Sequence, residues 1–108
     1  MGYEVSDVDE FKKAREQLAK ILVNALAELR SDMKGNVVYL TQSKLARYII
    51  KANARRAGRL TNSEVRLAYR IFTSTAGSLG ITKEGKGPYR LTKSDVDELI
   101  RHLSKYAG

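Results

Sequence analysis

Residues 78–95 read SLGITKEGKGPYRLTKSD. Two glycines bracket a lysine (Gly85, Lys86, Gly87), the only proline of the chain follows, and apolar and polar residues then alternate. Such a stretch is either a phosphate-cradling loop or the tip of a β-hairpin. A phosphate loop needs a strand, a glycine-rich bend and then Lys-Ser/Thr opening a helix, so that successive backbone N–H groups point at the phosphates. Here Lys86 is followed by Gly87 and Pro88, proline supplies no N–H, and a strand-like run follows in place of a helix. The nucleotide-binding alternative fails on spacing and on context. What remains is a hairpin with GITK and PYRLT as its arms and a glycine-rich turn between them. Lys83, Lys86 and Arg90 project from it.

The segments on either side fall into helices. Downstream, Thr92 is placed to cap a last helix, with Asp95 at its third position and Val96, Leu99, Ile100 and Leu103 as its buried face. Upstream, RLTNSEVRLAYRIFTSTAGSLG predicts a helix over 62–79. Thr61 caps it, Glu64 completes a capping box, and Gly80 stops it. Val65, Ala68, Phe72, Ala76 and Leu79 form its core stripe, while Asn62, Arg66, Tyr69, Arg70 and Thr73 share the other face. Further upstream, NVVYLT (36–41) is a brief strand. Thr41 then caps a helix through QSKLARYIIKANARRAG that ends at Gly58, with Leu45, Ala46, Ile49 and Ile50 inward.

The first helix is the longest, 6–34. Ser6 is its expected cap with Asp9 as reciprocal partner, and apolar residues recur in steps of three and four from Val8 to Met33. Val23 and Leu26 lie beside this stripe and widen it. A stripe this wide either covers more of its own core or packs against a second copy of itself, and the second alternative makes Leu18, Leu22, Val23 and Leu26 a homodimer interface.

The 108 residues make one domain, 1–108, with a single modest core. No run of 18 apolar residues is present, so no membrane span is expected, and the acidic start MGYEVSDVDEF lacks the apolar core of a signal peptide. There is no cysteine and one histidine. That excludes disulfides and a Cys/His zinc site, so neither metal nor cofactor is expected, and a cytoplasmic location fits. Two glutamines beside 30% charged residues lean toward a thermophilic source.

The net charge of +8 is unevenly placed. Residues 37–94 carry twelve Lys/Arg against two Asp/Glu, while the flanks 1–36 and 95–108 are each net −1. A block this lopsided is an electrostatic footprint for a polyanion.

Element order, capping signals and charge together resemble the winged helix-turn-helix family of DNA-binding proteins, over residues 8–105. The resemblance implies a mainly α fold with a small β-hairpin (α+β), in the order α-β-α-α-β-β-α, with a long N-terminal helix (6–34) ahead of the helix-turn-helix, wing and last helix (36–105). It implies that 62–79 is a recognition helix entering the major groove of double-stranded DNA and that 81–91 is a wing on the minor groove or backbone. Arg66 and Arg70, one turn apart, suit guanine or two phosphate oxygens. Asn62 suits adenine or a phosphate at the helix start, and Tyr69 and Thr73 offer hydroxyl donors. Lys44, Arg47, Lys51, Arg55, Arg56 and Arg59 are expected on the phosphate backbone.

The carboxylates fall in the first turns of helices and His102 stands alone, so no acid–base pair or nucleophile set emerges and no enzyme is expected. A transcription regulator or nucleoid-associated chromatin protein is the leading expectation. An RNA-binding or ribosome-associated protein, or a winged-helix module docking onto protein, are the alternatives.

Overall fold

The computed structural model describes residues 2–55, 59–83 and 85–107, the first eleven of them as backbone alone. The order is α1 (Gly2–Asp32), β1 (Val37–Leu40), α2 (Gln42–Ala52), α3 (Asn62–Ser78), β2 (Tyr89–Thr92) and α4 (Lys93–Ser104). The protein is mainly helical with one two-stranded antiparallel sheet, the α+β class that the pattern of periods requires.

One face of α1 supplies Leu18, Ile21, Leu22, Ala25, Leu26 and Leu29 to a single core. Against it pack Leu45 and Ile49 of α2, Ala68, Phe72 and Ala76 of α3, and Val96, Leu99 and Leu103 of α4. Leu22 and Leu26 are fully buried and Leu18 nearly so, while Val23 is half-buried against the same cluster. The wide stripe therefore covers its own core. Leu18, Leu22 and Leu26 are not free to meet a second copy, which corrects the homodimer expectation for them.

The helix starts are set by their caps. Thr41, Thr61 and Thr92 are extended, and each accepts the backbone N–H three residues on through its hydroxyl. Glu64 and Asp95 return the bond to the caps of α3 and α4, closing two capping boxes. The end of α3 closes just as definitely. Gly80 adopts φ +75°, its N–H reaches Gly77 O and that of Ile81 reaches Ala76 O at 2.8 Å. That pair of bonds is a Schellman closure, and its left-handed residue favours glycine.

Four expectations need correction. First, α1 begins at Gly2, so Ser6 lies inside the helix and is not its cap; no proline or other breaker interrupts residues 2–6. Second, α2 stops at Ala52, six residues before Gly58, which lies outside the described residues. The cause is Asn53. Its side-chain Nδ2 donates to Ile49 O at 2.7 Å, taking the carbonyl that its own backbone N–H would use in a continuing helix. Third, Ile50 is 58% exposed. It sits about 100° around the helix from Ile49, away from the core.

Fourth, among the described residues the hairpin at 81–91 has one strand and not two. β2 pairs with β1 in the register Val37↔Thr92 to Leu40↔Tyr89, and the first arm contributes a single bridge, Lys83↔Tyr89. Ile81 is committed to closing α3 and Pro88 has no N–H to give, so little of the first arm is left to form a ladder.

Candidate nucleic-acid interface

Five side chains singled out in the sequence lie on α3. Its core side is fixed by Ala68, Phe72, Thr75 and Ala76. At 100° per residue, Asn62, Arg66, Tyr69, Arg70 and Thr73 then fall along one flank and the outward face. Arg66 and Arg70 are exposed and one turn apart, and Asn62 is the first residue of the helix. The helix start gathers backbone N–H groups and a positive dipole end.

Two members of the set are less free than their residue types suggest. Tyr69 is half-buried, its ring stacked near Phe72 with centroids 6.2 Å apart. Thr73 spends its hydroxyl proton within the helix, donating to Arg70 O at 2.9 Å. It retains acceptor capacity only, which corrects its expected role as a donor.

The turn after α3 carries three more cations. Gly85 has φ +59° and with Gly87 flanks exposed Lys86. Lys83 stands over the ring of Tyr89, 5.6 Å from its centroid, and that ring meets Phe72 edge-on at 5.2 Å. An aromatic chain thus ties the turn to α3: Lys83, Tyr89, Phe72, Tyr69. Arg90 points outward on the sheet opposite Tyr39, which is 58% exposed. Tyr39 was missed in the sequence. The signal was present in VVYL, where buried Leu40 fixes the inward parity and puts residue 39 on the solvent side.

The cations on and after α2 divide. Arg47, Arg55 and Arg59 are exposed. Lys44 Nζ donates to the carbonyl of Tyr39 at 3.3 Å. Lys51 lies 3.8 Å from Asp32 of α1, which also accepts the Tyr48 hydroxyl at 2.8 Å. That bond to a carboxylate, with partial burial, raises the Tyr48 pKa above its ordinary value. Arg56 lies outside the described residues.

Among the described cations of residues 37–94, Lys51 alone has a carboxylate within ion-pair distance. The remaining described ion pairs, Arg30–Asp97 and Arg101–Glu98, lie in α1 and α4. Among the described residues, the cations of this middle segment other than Lys51 thus have no carboxylate within ion-pair distance.

Among the described residues no cluster of His, Asp or Glu can hold a metal ion, and no helix is long and apolar enough to cross a membrane. His102 is half-buried beside Tyr106, ring centroids 5.7 Å apart, with exposed Glu98, Arg101 and Lys105 around it on α4. Comparison with family models, curated proteins and solved structures finds no match for this chain.

Proposed function

We propose that this chain is a winged helix-turn-helix protein that binds double-stranded DNA. α3 enters the major groove, the 81–91 turn lies on the adjacent minor groove or backbone, and the protein serves in the nucleoid as a transcription regulator or a chromatin-type binder. One observation carries this reading: among the described residues, the exposed cations of α2, α3 and the turn lack internal carboxylate partners, Lys51 excepted. Like charges gathered on one domain repel each other, and a phosphate backbone relieves that repulsion while releasing its counterions. The exposed side chains of α3 also combine charge with hydrogen-bonding groups, as base-edge contacts require.

The test is a salt-titrated binding series on random and genomic duplex DNA, with duplex RNA and single strands alongside. With about six phosphates neutralised per protomer, log K falls against log[salt] with a slope of about −5. Replacing Arg66 and Arg70 by alanine weakens duplex binding by about 1–3 kcal/mol for each arginine that reads a base. Equal affinity for all duplexes identifies a packaging role, and a preferred site identifies a regulator. Tighter binding to RNA, or no nucleic-acid binding at physiological salt, rejects the proposal in favour of the RNA-binding or protein-docking alternative.

A further inference from the structure

The flank of α3 turned away from Asn62 and Thr73 faces a groove of about 310 Å³ between α3 and the first half of α1. Its walls are apolar: Ala14 and Leu18 from α1, Leu67 and Ile71 from α3. Leu67 is 47% exposed and adds its side chain to this apolar wall, on the side of α3 away from its core residues. The rim is cationic. Among the described residues, Arg15 and Arg70 both line the groove, no acidic side chain does, and neither arginine has a carboxylate within ion-pair distance.

Beside the groove lies a smaller polar cavity of about 60 Å³ to which Ser78, His102 and Tyr106 contribute. Arg15, Ile71, Ser74 and Thr75 line both spaces, so Arg15 stands at the seam between the apolar and the polar one. Its guanidinium lies over the Tyr106 ring, 4.9 Å from the centroid. A cation held on an aromatic face loses less freedom when an anion arrives than one free in solvent.

We propose that this groove binds an amphipathic carboxylate, a small molecule with an apolar chain or ring and one anionic head. The chain lies along Ala14, Leu18, Leu67 and Ile71, and the head takes the Arg15 guanidinium at the seam, with Arg70 as the second cation of the rim. The volume is that of a small-ligand site with few polar groups to fix orientation. A neutral apolar ligand leaves the two guanidiniums unused, and a cation meets repulsion from both. The site stands on its own geometry and does not depend on duplex binding.

The test is an amide-resolved NMR titration of the full chain with sodium decanoate, set against decan-1-ol and decyltrimethylammonium at equal concentrations. Decanoate is expected to shift the amides of residues 14–18 and 67–75 saturably and to bind more tightly than either comparator. Arg15→Gln is expected to weaken decanoate about tenfold, the loss of one charge-assisted hydrogen bond. Leu67→Gln weakens it by shortening the apolar wall. Both positions are exposed, and a retained pattern of core amides shows that the variants fold. The proposal is overturned by the absence of saturable shifts in the groove, by equal binding of the alcohol or the ammonium, or by an unchanged affinity in folded Arg15→Gln.

Discussion

Asn53 ties the end of α2 to α1. It is 8% exposed, donates to Ile21 O of α1 and Ile49 O of α2, and accepts from Asn24 Nδ2 at 3.0 Å. Every polar atom of its amide is used, so one residue ends a helix and fastens it to its neighbour. Replacing it with alanine is expected to cost about 1–3 kcal/mol in chemical denaturation, because the buried amide of a hydrogen-bonded network is lost with nothing to replace it. Tyr48 offers a second test. Its raised pKa means that the folded state favours the neutral hydroxyl. The resulting contribution is present in full below the ordinary tyrosine value of about 10 and is lost as pH rises through the folded value. Tyr48→Phe should therefore be less stable than the parent at neutral pH, and the gap should close at strongly alkaline pH in paired denaturation curves. Nothing in the run of letters pointed to Asp32 as the acceptor of Tyr48, since that bond depends on how α1 crosses α2.

Three helix starts and the end of α3 were legible from local chemistry, whereas the capping signal at Ser6 misplaced the start of α1. Thr41, Thr61 and Thr92 cap as their sequence context demands, and Gly80 ends α3 because only a left-handed residue completes that closure. Gly80→Ala isolates this effect. Apart from its chain neighbours, no described atom lies within 4 Å of the added methyl group, so the cost is mainly conformational, about 1 kcal/mol by thermal or chemical unfolding. Boundaries were illegible where a distant residue decides them. The end of α2 depends on a side chain that also reaches α1, and the strand paired with β2 comes from the other side of α2 and α3. Alternation in PYRLT identified a strand correctly but carried no information on its partner. The nearest arm of the chain was the natural expectation, and β1 displaced it.

At the scale of the whole molecule, α1 is the beam on which the rest is laid. It packs against α2, α3 and α4 alike, and its inward leucines are buried within one chain. Leu22→Ala is therefore expected to destabilise by about 2–5 kcal/mol, the range for opening a cavity in a packed core. The loss should not vary with protein concentration in denaturant titrations, since no second chain is needed to bury that side chain. The same width of stripe had two readings in the sequence because periodicity reports which residues avoid water, not whose surface covers them. The candidate interface was legible in a different way. Charge counting marked the central segment, and the apolar stripe of α3 fixed which of its faces looks outward. The groove beside Leu67 and the exposed ring of Tyr39 emerged only with the packing, although strand parity had already hinted at the latter.

The pairing of β1 with β2 has a kinetic consequence. It joins residues about 50 positions apart, so the chain must close a long loop before a four-residue ladder repays any of the lost entropy. Helices can form from local contacts at once, but this closure waits on the rest of 41–88 being nearly in place. Weakening the strands should then leave the refolding rate almost untouched and let the native state come apart faster.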